Sequence, residues 1–163
     1  MRYSPGSLVV VVCADPGTRE RFCARVLEDP SALLSMGKVR GLLQGRVAEE
    51  EIETKARALI DTAAAKRLTG GQTVVIAMEA LDPAERERYV RMAAEHRRPR
   101  HLVLVEAGKE SVADEDRAAL AELRTTLDAG GLGAEGFMTS LRLGGRTVDE
   151  LKRIVFARPP ADD

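Results

Sequence analysis

The chain has 163 residues, 44% of them hydrophobic and 31% charged, with a formal net charge of -1. These values are ordinary for a soluble globular protein and suit one domain, residues 1–158, with a frayed tail at 159–163. No global excess of charge points to nucleic acid or to a membrane, so any electrostatic partner has to be read from local clusters.

The first strong signal is the apolar run Leu8–Cys13, the pattern of a strand covered on both faces. Asp15 and Pro16 interrupt it too early for a bilayer span, and no signal-peptide cleavage pattern follows, so the expected location is cytoplasmic. Thr18–Leu27 reads as a helix with Phe22, Val26 and Cys23 inward, and Cys13 and Cys23 read as reduced core thiols. "ALLSM" (32–36) reads as a short strand or a buried turn, and "KVRGLLQG" as a short helix stopped by Gly45. Val47–Leu68 carries apolar residues at helical spacing and ends at Gly70-Gly71. "TVVIAM" (73–78) is the next buried strand, and Asp82-Pro83 opens a helix to about Arg97. "HLVLVEA" (101–107) is a third strand, followed by a helix over 113–128. "GFMTSLRL" (136–143) and "RIVFAR" (153–158) read as the last strands, with "TVDELK" a helical turn between them. Strands separated by helices predict a three-layer α/β/α sandwich around a mainly parallel, five-stranded sheet. In such sheets ligands bind beyond the C-terminal strand ends, here Ala14–Gly17, Ala77–Glu79 and Glu106–Gly108.

"VVVVCADPGTRERFCARVL" (9–27) has the strand–loop–helix outline of a phosphate-binding loop. With "LLSMGKVRGLLQG", "AKRLTGGQTVVIAMEALDPAERERYVRMAAEHRRPRHLVLVEA" and "AEGFMTSLRL", it resembles the small P-loop kinases of the polynucleotide-kinase and zeta-toxin-like group, in the right order along most of the chain. The resemblance implies a P-loop NTPase-like fold, and it places the phosphate loop at Ala14, Asp15, Pro16, Gly17, Thr18, Arg19, Glu20 and Arg21. On that pattern Arg19 stands for the second glycine, Glu20 for the lysine and Arg21 for the hydroxyl residue. A carboxylate in place of that lysine would oppose a phosphate by roughly 4 kcal/mol at 4 Å and an effective dielectric of about 20. Gly37 stands where the family has its acceptor-activating aspartate, while the downstream Arg40 is kept. Ala77 and Ala80 replace the aspartate and asparagine at the end of the Walker-B-like strand. The arginine-rich lid of the family corresponds to an acidic segment that retains Arg117 and Arg124. No general base is legible, so no catalytic residue is assigned.

The leading expectation is therefore a catalytically inactive pseudoenzyme that acts through protein contacts, as a scaffold, a regulatory subunit or half of a homodimer. No cofactor and no metal are expected. The alternative is a nucleotide- or phosphate-binding protein, or a phosphotransferase with ATP and magnesium, in which Arg19, Arg21, Arg40 and Arg86 replace the lysine. The plainer reading of those four is surface arginines on helices, and of Thr18 a helix-capping residue. Segment 83–101 holds six arginines against Glu85, Glu87 and Glu95, a net of +3. Segment 106–128 holds seven acids against Lys109, Arg117 and Arg124, a net of -4. Such opposed patches can steer a protein partner or self-association, but the plainer and preferred reading is the solvated faces of amphipathic helices. Nucleic acid is disfavoured, because no aromatic residues interleave the "HRRPRH" cluster at 96–101. His96 and His101 make no metal-ligand spacing with Cys or carboxylates.

Overall fold

Strands such as Leu8–Val12 and Val74–Met78, apolar at every position, are stable only where helices cover both sheet faces. The computed structural model, which describes residues 1–156, satisfies that requirement. In chain order the elements are β1 (Arg2–Tyr3), β2 (Leu8–Val12), α1 (Pro16–Val26), β3 (Leu33–Ser35), α2 (Met36–Leu43), α3 (Glu49–Thr69) and β4 (Val74–Met78). There follow α4 (Pro83–Glu95), β5 (Arg100–Val105), α5 (Arg117–Asp128), α6 (Leu132–Glu135), β6 (Thr139–Leu143), α7 (Arg146–Glu150) and β7 (Val155–Phe156).

Five strands form one sheet in the order β3-β4-β2-β5-β6, and every neighbouring pair is parallel. The fold is thus an α/β sandwich of the expected class. β2 is central: Val10 lies between Ile76 of β4 and Leu102 of β5. Its side chains alternate between two cores. Val9 and Val11 pack with Phe22, Cys23 and Val26 of α1. Leu8, Val10 and Val12 pack with Ala56 and Ile60 of α3, Tyr89 and Ala93 of α4, and Leu120 and Leu123 of α5. The chain leaves β2 toward one sheet edge and returns across it, so the crossovers put α1 on one face and α3, α4 and α5 on the other.

The strand expected at 153–158 is displaced from this sheet. Val155–Phe156 instead pairs in parallel with Arg2–Tyr3 in a separate two-stranded ribbon. The fifth place in the main sheet belongs to Leu33–Ser35, which sits at the β4 edge. Residues 157–158 of that expected strand and the tail at 159–163 lie outside the described residues. Several helix bounds also move by a few residues, α3 to Glu49–Thr69 and the end of α4 to Glu95 among them. α1 begins at Pro16, ahead of the expected Thr18, because Asp15 and Pro16 form an N-cap and first position together. The expected helix 113–128 opens as a 3-10 turn, Asp114–Asp116, before α5. Among the described residues no helix is long and apolar enough to cross a membrane.

The β1–β7 ribbon is fastened to the sheet by aromatic stacking. The Tyr3 ring lies 4.4 Å from the imidazole of His101 and 5.9 Å from Phe156. His101 Nδ1 also contacts Thr139 Oγ1 at 2.7 Å, linking β5 to β6. Burial holds the His101 imidazole below its usual pKa of 6.5, so the fold favours its neutral form. The unfolded chain therefore takes up the proton first, and this contribution to stability is present above pH 6.5 and lost as pH falls below it. Urea midpoints taken from pH 7.5 down to about 5.5 should fall more steeply for the wild type than for His101→Phe.

Gly136 closes α6 with φ +109°, and a Cβ there would lie 2.5 Å from Val90 Cγ1. Gly136→Ala is expected to destabilise by about 2–4 kcal/mol, from the left-handed backbone plus overpacking. Adding Val90→Ala should relieve the overpacking share only, a difference read directly from denaturant midpoints.

Candidate functional site

Three loops meet where the central strands end: Cys13–Asp15 after β2, Glu79–Asp82 after β4 and Glu106–Gly108 after β5. This is the edge at which open α/β sheets bind ligands. The connection from β2 to α1 is only three residues long. Of the eight positions matched to a phosphate loop, Ala14 and Asp15 lie in that turn, and Pro16, Gly17, Thr18, Arg19, Glu20 and Arg21 are already helical.

The helix start is satisfied from within. Asp15 Oδ2 accepts from the Thr18 backbone N–H at 3.0 Å and from the Thr18 hydroxyl at 2.6 Å. These two bonds hold the Asp15 carboxyl below the usual carboxylate range. Pro16 has no N–H, and the Arg19 N–H makes the first helical bond to Asp15 O at 3.0 Å. Among the described residues, Gly17 is left as the one first-turn donor for an external anion, whereas a phosphate loop surrounds its ligand with several. Arg21 folds back over this spot: its Nη1 lies 3.1 Å from where a Gly17 Cβ would be.

Glu20 turns toward α2 and accepts from the Ser35 hydroxyl. Ser35 Oγ in turn accepts from Lys38 N–H at 3.3 Å and caps α2. The Glu20 carboxylate also fills the space above Gly37, where a Cβ would meet Oε1 at 3.1 Å. The position matched to the lysine thus bears a carboxylate aimed at the position matched to the aspartate. Ala77 and Ala80 are both fully buried.

The four arginines singled out from the sequence are not gathered in one place. Arg86 is 2% exposed and clamps the β4–α4 loop. Its Nη1 donates to Ala80 O at 2.8 Å and Leu81 O at 3.0 Å, while Nε and Nη2 grip Glu135 at 2.8 and 3.0 Å. Arg40 is gripped by Glu53 through Nε and Nη2, both at 2.8 Å, which draws the Glu53 pKa down. Arg19 and Arg40 line one small cleft beside the end of β4, while Arg21 and Arg86 are not among its walls. Arg57, Glu53 and Glu85 complete that cleft and were not singled out from the sequence. Arg57 donates to Glu85 at 2.6 Å. No motif announces these partners, because they meet only through the packing of α2, α3 and α4.

The lid-like segment is also internally paired. Arg124 and Arg142 both reach Glu106, with Nε–Oε1 distances of 2.8 and 2.9 Å, and Arg124 is the main cause of the lowered Glu106 pKa. Arg117 pairs with Asp114 at 3.2 Å. His96 contacts Thr69 Oγ1 at 3.0 Å and Met92 O at 2.9 Å. No group of three or more His, Cys, Asp or Glu among the described residues could hold a metal ion. Cys13 and Cys23 are free and buried, and burial pushes the Cys23 thiol up to about 12, so neither is an activated nucleophile.

Ala80 has φ +47°, a left-handed conformation that costs a residue with a Cβ about 1–2 kcal/mol and that Asn and Gly tolerate. Strain of this kind collects at ligand sites. Here the Arg86 bond to Ala80 O holds it in place. Ala80→Gly is expected to raise stability by about 0.5–1 kcal/mol in chemical denaturation, the relieved strain outweighing the lost methyl and the added unfolded-state entropy.

No family model matches the sequence, and no curated protein does. Among solved structures, the fold is similar to that of a "putative kinase" from Chloroflexus aurantiacus J-10-fl, with a TM-score of 0.49 and 11% identity over 86% of each chain.

Proposed function

We propose that this chain is a P-loop-kinase-like domain without phosphotransfer activity, working through contacts with protein as a scaffold, a regulatory subunit or one half of a dimer. The observation that carries the reading is the start of α1, where Asp15 takes the donors that a phosphate would need. Behind it stands Glu20, a second carboxylate bonded to Ser35 where the resemblance requires a cation. A triphosphate approaching along this axis meets two negative charges and one free backbone donor. A magnesium-bound nucleotide does not fit these residues, since neither Ala77 nor Gly37 has a carboxylate to offer the ion or the acceptor hydroxyl.

Other features support the same reading. Arg40 and Arg86, on which the alternative phosphotransferase draws, are each engaged by a carboxylate in a two-point contact. Releasing either would leave a charge unpaired, which for the buried guanidinium of Arg86 is unfavourable. The α2–α3 pair presents Leu42, 66% exposed, and Leu59, 52% exposed, as apolar contacts for a partner protein.

The test is thermal unfolding with ATP, GTP and a 5′-phosphorylated oligonucleotide, each with and without magnesium. A ligand at a hundred times its Kd would add about 2.7 kcal/mol, so binding at millimolar concentration would be plain. No magnesium-dependent shift is expected; a saturable one would overturn the proposal. The triple substitution Arg19→Gly, Glu20→Lys and Arg21→Ser should not create nucleotide binding either, because the β2–α1 turn is too short to wrap a phosphate.

A further inference from the structure

Among the described residues, Arg19 is a buried cation without an ion pair. Its side chain is 2% exposed, Nη1 donates to Cys13 O at 2.6 Å, and Nε is buried with no acceptor. Buried charges are normally paired, and an unsatisfied charged donor is among the costliest groups a fold can keep. The other two arginines of the same cleft are paired, Arg40 with Glu53 and Arg57 with Glu85, as is the buried Arg86 with Glu135.

The exception opens onto space. Arg19 lines a cleft of about 60 Å3 at the end of β4, together with the Arg40–Glu53 and Arg57–Glu85 pairs and Glu79. One water site needs about 10–15 Å3 on this measure, so the cleft holds four to six water-sized groups, the size of a tetrahedral oxyanion. It is too small for a nucleoside. Arg40 and Arg57 are neutralised by Glu53 and Glu85, which leaves the buried Arg19 and the exposed Glu79 as the unpaired charges of the lining among the described residues. A buried charge acts at lower effective dielectric than an exposed one, so Arg19 outweighs Glu79 for an anion in the cleft.

We propose that this cleft binds one compact oxyanion of the phosphate class, with Arg19 as its anchor and Glu79 as a repulsive residue in its lining. The site shares Arg19 with the first turn of α1 but takes the anion on the side chain, not on the helix N–H groups; it uses no magnesium and does not depend on the function proposed above. Arg40 and Arg57, oriented by their glutamates, supply further guanidinium donors.

The probe is inorganic phosphate, titrated against sodium chloride of equal ionic strength and followed by thermal unfolding and calorimetry. A saturable rise in Tm of about 3–6 °C is expected at ten times the Kd. Arg19→Met removes the anchor while keeping its bulk, and it should abolish the response; the lost bond to Cys13 O offsets the removal of the orphaned charge, so the phosphate-free Tm should change little. Glu79→Gln, an exposed change with no structural cost, should tighten phosphate about two- to fivefold. AMP and ATP without magnesium should bind no better than phosphate. Absence of a phosphate-specific shift at about 10 mM would overturn the proposal. So would a shift that persists in Arg19→Met or weakens in Glu79→Gln. If Arg19→Met fails to fold, the Glu79→Gln comparison decides alone. A magnesium-dependent nucleotide response, by contrast, bears on the proposed function and leaves this site untouched.

Discussion

Everything in this molecule is organised by the burial of β2 on all sides. Leu8 to Val12 lose essentially all contact with water, and their backbone groups are met on both flanks by β4 and β5. A strand so enclosed has one direction of exit, beyond its C-terminal end. The next element must therefore begin almost at once, and with the turn limited to Cys13–Asp15 it does. The helix that results is capped by its own aspartate, and from that economy of chain follow the orientation of Arg19 beneath Cys13 O and of Glu20 toward α2.

Around this edge the chain answers its own charges. Glu53, Glu85, Glu106 and Glu135 each hold one or more arginines brought from another element. Most such pairs are partly exposed and contribute modestly to stability, but they fix side chains in place. Arg86–Glu135 differs, because the guanidinium is buried and also carries two loop carbonyls. It makes the β4–α4 connection rigid and sustains the left-handed Ala80 within it.

The layering of the fold was legible in the residues, because fully apolar runs such as Val74–Met78 and capped starts such as Asp82-Pro83 carry strong local signals. The β1–β7 ribbon was not, since two-residue strands have no periodicity to read and their pairing joins opposite ends of the chain. At the candidate site the local facts were readable: a carboxylate at 20, no side chain at 37, alanine at 77 and 80. The partnerships were not. Arg40 meets Glu53 only because α2 and α3 pack together, and Arg86 meets Glu135 across 49 residues. The isolation of Arg19 is a property of what fails to surround it, which no motif records.

One contact has a consequence for how this sequence can change. Glu20 Oε1 lies 3.1 Å from where a side chain at Gly37 would begin. An acidic residue introduced at 37 would arrive against an existing carboxylate and disturb the Ser35 hydroxyl that binds it. Either the Glu20 side chain yields or position 20 changes too, and both loosen the tie between α1 and the cap of α2. The two positions are thus coupled, and an acid at 37 is reached through a less stable protein.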